Sequence, residues 1–180
     1  MAITRLNTNA FGTSVNLASN VTGTLPAANG GSGRTAVTGN VLQVLHSTNS
    51  TQITVTTGSY TWTDNITLAI TPSSSSNKIV ILGSQNLACG NGDMYMNGTF
   101  FRDSTNLGAA SFGLSGGQLV KATGASSIFG SSNWGCVFTD APSSTSEITY
   151  KMKGALQSSG TGYMNVNSSK ASLTLMEIAG

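Results

Sequence analysis

The side chains that could do acid–base chemistry in this chain are few: Asp64, Asp93, Asp103, Asp140, Glu147, Glu177 and His46. A glycosidase needs two carboxylates facing one cleft. Asp93 and Asp103 could approach each other across a hairpin, yet their spacing does not make them a pair. Aspartate is common in turns because its side chain bonds the nearby backbone, so turn capping or surface charge is the better reading of both. His46 has no cysteine or second histidine at ligand spacing, which argues against zinc. Calcium at Asn91, Asp93 and Asp103 lacks a regular loop spacing. Asn29 to Thr35, NGGSGRT, is a poor phosphate-binding loop, with Ala28 where the first glycine belongs and Arg34 in place of the lysine. The expectation is a protein with no catalytic residues, no metal and no cofactor: not an enzyme.

Tyr60, Trp62, Tyr95, Trp134 and Tyr163 could form a sugar-stacking surface. Alternation with Thr61 and Thr63 instead puts Tyr60 and Trp62 on one face of a strand, where core packing is the ordinary role. If the chain binds glycans, the irregular segments 103–133 and 154–162 are the places to look, because loops on a rigid scaffold carry recognition. Asn20, Asn49, Asn65, Asn97 and Asn167 fit N-x-[ST], as chance allows in a chain so rich in Ser and Thr. Cys89 and Cys136 are too few for a disulfide framework and read as buried thiols.

The elements that must carry these residues are strands. Val41 to His46 is apolar. Ile53 and Val55, then Ile66, Leu68 and Ile70, then Ile148, Tyr150 and Met152 alternate with polar residues, which is the half-buried strand signal. Lys78 to Leu82 is a continuous apolar run, expected as a central strand covered on both faces. Met94 and Met96, Trp134 to Phe138, Tyr163 to Val166 and Leu173 to Ile178 supply further strands. Asn91-Gly92-Asp93 and Asn97-Gly98 read as turns. Roughly eight to ten short strands without helical periodicity point to an all-β head, a β-sandwich of jelly-roll type, over residues 41–180.

Residues 1–40 differ in kind. Asn16 to Gly33 contains no charged residue and few apolar ones. Pro26 fixes one φ, while Gly30, Gly31 and Gly33 loosen the backbone. Such a segment cannot bury enough apolar surface to offset an ordering entropy of roughly 1–2 kcal/mol per residue. An extended arm is expected, ordered by partners, with Ile3, Leu6, Phe11, Leu17, Val21, Leu25 and Pro26 as its anchoring and trimer contacts. Three arms could pool these residues along a threefold axis where one arm could not.

Totals agree with an assembly. Only 8% of the 180 residues are charged, against about 25% in ordinary domains. Soluble monomers lean on charge for colloidal stability. A net charge of +2 with scattered Lys and Arg gives no nucleic-acid footprint. No apolar run reaches membrane-spanning length and no signal peptide opens the chain.

Two regions resemble known proteins. LASNVTGTLPAANGGSG (Leu17 to Gly33) resembles a GTLP-x-ANGGTG segment of bacteriophage tail-fibre and fibre-like proteins, with Ser32 for the usual threonine. ITPSSSSNKIVIL (Ile70 to Leu82), FTDAPSSTSEITYKMK (Phe138 to Lys153) and SLTLMEIAG (Ser172 to Gly180) resemble a C-terminal module of marine and cyanobacterial phage structural proteins. The resemblance implies a virion protein assembled in the host cytoplasm. It also implies a homotrimer, an N-terminal end bound to tail, portal or capsid proteins, and a distal head that contacts the host surface, with a surface glycan as one target. Rival readings are a capsid decoration (cement) protein and a glycan-binding or depolymerase module.

Overall fold

The computed structural model describes residues 38–56, 59–90, 94–119, 130–157 and 160–180. The anchoring residues Ile3, Leu6, Phe11, Leu17, Val21, Leu25 and Pro26 lie outside the described residues. So do the glycine-rich stretch 29–35, the turn at Asn91-Gly92-Asp93 and the apolar pair Ile128-Phe129.

Among the described residues eleven strands follow one another: β1 (Val41–Asn49), β2 (Ile53–Val55), β3 (Thr63–Ile70), β4 (Lys78–Cys89), β5 (Met94–Arg102), β6 (Thr105–Asn106), β7 (Ser115–Leu119), β8 (Gly130–Asp140), β9 (Ile148–Leu156), β10 (Gly162–Met164) and β11 (Ala171–Ile178). They form two antiparallel sheets. In the first, β1 pairs with β11 and β11 with the first half of β4; β10 takes over on the second half of β4 and carries β2; β8 runs along the opposite side of β4. In the second the order is β3-β9-β5, with β7 and β6 sharing the far side of β5.

Reduced to its eight main lanes, the fold is β1-β11-β4-β8 against β3-β9-β5-β7. The pairs β1/β11, β3/β9, β4/β8 and β5/β7 nest outward from the β5–β7 connection, as in a long hairpin wrapped over itself. That is the jelly-roll form of the β-sandwich, and the all-β expectation holds. Gly39 and Asn40 extend the β1/β11 ladder through bonds with Ala179.

Alternation sets the core. Ile148, Tyr150 and Met152 of β9 point inward with Leu173 and Leu175 of β11, Ile79 and Ile81 of β4, and Ile66 and Ile70 of β3. Phe100 and Trp134 meet edge to face at 5.3 Å in the middle of this layer. Residues on the two inner faces interdigitate, with the polar Gln85 and Glu177 buried among them.

Three expectations need correction. Asn97-Gly98 is not a turn but the middle of β5, with Asn97 buried. Gly98 is there because the Trp134 ring lies against the strand backbone where a Cβ would stand. Tyr60 and Trp62 precede β3 rather than belong to a strand. Ser59 and Tyr60 adopt left-handed φ of 60° and 58°, and their amides bond Gln157 and Leu156 carbonyls. Lys78 to Leu82 is central, but only Ile79 and Ile81 are buried; Leu82 is exposed and Val80 half-buried. An antiparallel sandwich covers one face of each sheet, so the run contains more apolar residues than the core uses.

Candidate functional site

The outer surface of the second sheet gathers the aromatic residues that the core leaves out. Trp62 lies edge-on to Phe101 of β5 at 6.2 Å, and Tyr60 lies edge-on to Phe112 at 5.5 Å. Trp62 donates its indole N–H to the Ala110 carbonyl at 3.2 Å. The segment bearing Ala110 and Phe112 is held tightly. Ala109 and Gly113 exchange two backbone bonds, and Gly113 sits at φ +62°, close against Trp62. Asn106 accepts from Thr99 Oγ1 and from the Gly108 amide, and donates to the Ala109 carbonyl.

Charge borders the rings. Lys153 Nζ stands 4.4 Å from the Phe101 ring centre and 2.6 Å from Asp64, whose other oxygen is 3.5 Å from Lys151. Phe112 is 58% exposed, and Tyr60, Trp62 and Phe101 are half-buried. Ring faces beside a carboxylate and two ammonium groups suit stacking against sugar rings with hydrogen bonds to their hydroxyls. Of the aromatic residues singled out from sequence, Tyr60 and Trp62 come together here. Trp134 is core and donates to the Ser115 carbonyl. Tyr95 faces the same side of β5 but six residues from Phe101, about 20 Å away at strand rise. Tyr163 lies on β10 of the other sheet. Phe112 falls within the segment 103–133 singled out from sequence, whereas Phe101 of β5 and Lys153 of β9 carried no such signal.

Three of the carboxylates singled out from sequence, Asp103, Asp140 and Glu177, hold structural contacts. Asp103 turns the β5–β6 hairpin at φ 53° and accepts from the Thr149 amide. Asp140 receives both Arg102 Nη1 and the Tyr150 hydroxyl, at 3.0 and 2.6 Å. Burial, then the Asp140 bond, pushes the Tyr150 phenol far up. Glu177 is buried, yet its carboxylate accepts from Gln43 Nε2 at 2.7 Å, the Ser73 amide at 2.7 Å, Ser73 Oγ at 2.8 Å and Asn77 Nδ2. Burial works to raise it, but these donors outweigh that and hold it down to about 2. A third polar cluster joins Asn65, Gln85 and Asn165, with Asn49 bonded to Asn65.

His46 faces out from β1 and bonds Thr174 Oγ1 at 2.8 Å. No disulfide joins the cysteines: register sets Cys89 opposite Gly130 and Cys136 opposite Gly83. Among the described residues no three His, Cys, Asp or Glu side chains cluster as metal ligands. Among the same residues no helix is long and apolar enough to cross a membrane.

No protein-family model matches this chain, and no curated protein does. Solved structures of infectious bursal disease virus are distantly similar. The VP2 subviral particle gives a TM-score of 0.37 at 12% identity, covering 76% of this chain and 37% of that one. The T=1 particles derived from the virus give 0.37 at 10% identity, covering 77% and 36%. The Gx strain gives 0.35 at 10% identity, covering 78% and 39%. This chain thus spans well under half the length of those proteins, and likeness at this level carries nothing about function.

Proposed function

We propose that the chain is a non-enzymatic phage virion structural protein, a trimeric fibre or spike whose residues 1–40 attach to other virion proteins and whose head faces the host. The observation that carries this reading is the convergence of the three head segments that resemble phage structural proteins. Ser73 and Asn77 of the first close on Glu177 of the third. Asp140 and Tyr150 of the second bond each other. Residues of these three segments thus help to lock the sandwich shut, as expected of a head module. Thr38–Gly180 packs as one unit. A chain lacking residues 1–37 should keep the circular dichroism and cooperative melting of the head yet fail to enter particles. Incorporation at the full-length level would overturn the attachment role.

The aromatic surface favours a second, compatible activity. Tyr60, Trp62 and Phe112 beside Lys153 give the head a saccharide-recognition surface, so a host surface glycan is the proposed external partner. A capsid decoration role is the alternative for position in the particle. Labelling at every capsomer rather than at the tail would select it.

A further inference from the structure

The outer surface of the first sheet is the inverse of the aromatic one. Among the described residues, five of the seven exposed large apolar ones lie on it: Val41, Leu42, Val44, Leu82 and Val137, with Val137 67% exposed and Val44 54%. Register makes them neighbours. Val44, Met176, Val80 and Thr139 form one cross-strand row, and His46, Thr174, Leu82 and Val137 form the next. Side chains opposite each other in such rows share a face and touch. With strands about 4.8 Å apart and outward residues about 6.8 Å apart along each strand, each outward residue takes about 33 Å² and the roughly eight apolar ones cover on the order of 250 Å². Such a concentration of exposed apolar residues often marks an interaction site.

Charge decides what could cover it. Among the described residues these two rows carry no Asp, Glu, Lys or Arg; Lys78 stands beside Ile178 at one end, whereas Asp64, Lys151 and Lys153 lie on the second sheet. A charged partner surface would lose hydration here without gaining an opposite charge. A second uncharged, apolar sheet face would lose nothing, and each copy of this chain carries one.

We propose that the outer face of β1, β11, β4 and β8 is the self-association surface of the protein, covered by the same face of other copies around the trimer axis. This rests on the trimeric reading above and names the surface that would serve it. About a third of the ~800 Å² per partner of a standard interface would come from this apolar centre and the rest from its polar rim.

The test is the mass of the full chain in solution, by sedimentation velocity and light scattering across concentration. Three proteins are compared: wild type, Val44→Lys/Val137→Lys, and Thr67→Lys on the exposed outer face of β3 as a control. Wild type and the control should sediment at three times 18.3 kDa. The double variant should dissociate at concentrations at least about a hundredfold higher, with unchanged circular dichroism. Should it misfold, the milder Val137→Ser should still weaken association about tenfold. A trimeric wild type whose folded variants remain equally trimeric would overturn this surface and leave the trimer standing. A wild type that is monomeric at all concentrations would overturn both. A monomeric wild type whose Val44/Val137 variant is lost from particles would assign the face to another virion protein and overturn self-association.

Discussion

Asn77 and Glu177 stand a hundred positions apart in the chain and share a hydrogen bond inside the fold. The bond ties the β3–β4 loop to the last strand, and Gln43 of β1 reaches the same carboxylate. Gly180 adds an amide bond to Asn77 Oδ1. Glu177→Ala removes the acceptor for four donors, from Gln43, Ser73 and Asn77. It should destabilise the head by about 3 kcal/mol, and Asn77→Ala by about 1–2 kcal/mol, read from urea midpoints. A change under about 0.5 kcal/mol for Glu177→Ala would show that the cradle contributes nothing.

The same carboxylate makes stability depend on pH. Its folded value, about 2, lies below the ordinary 4.5. Folding therefore disfavours its protonation: the contribution is complete above about pH 4.5 and is lost as pH falls towards 2. Exposed Ser73 beside it brings solvent near, so roughly 1–2 kcal/mol is expected rather than the full linkage value. Unfolding curves at pH 7 and pH 3 should differ by this amount in the wild type and by clearly less in Glu177→Gln. Equal pH dependence in both proteins would remove Glu177 as the cause.

Gly98 and Trp134 test the packing at the centre of the sandwich. Gly98→Ala pushes a methyl group into the indole and should cost about 2–3 kcal/mol, with a shift in Trp fluorescence. In Trp134→Phe the added methyl should cost less, because the smaller ring leaves room. Additive effects in the double-mutant cycle would contradict direct contact.

The proposed saccharide surface has its own test. Trp62→Ala and Phe112→Ala should each weaken binding to a glycan array by about tenfold or more. Phe112→Ala should leave stability within about 0.5 kcal/mol, since its ring is mostly exposed. Retention of array binding by both variants would place recognition elsewhere.

Much of this was legible in the sequence because period-two patterning reports directly on a half-buried strand. Ile148, Tyr150 and Met152 point inward as the alternation requires. Elsewhere local signals were overridden by contacts distant in sequence. Asn97-Gly98 looks like a turn, but the glycine answers to Trp134, thirty-six residues on. Tyr60 and Trp62 alternate like strand residues, but backbone bonds to Leu156 and Gln157 hold the chain in a turn there. The aromatic surface needs Phe112 beside Tyr60, and no spacing rule relates them. The apolar run Lys78 to Leu82 was readable as a strand, yet the exposure of Leu82 depends on which side of the sheet the core occupies.

Quantitative peptide mass spectrometry of purified, detergent-washed particles tests the virion role most directly. Peptides from this chain should be present in a copy number divisible by three and should leave with the tail when tails are detached. Their absence from particles, with the protein recovered only from the soluble lysate, would contradict it.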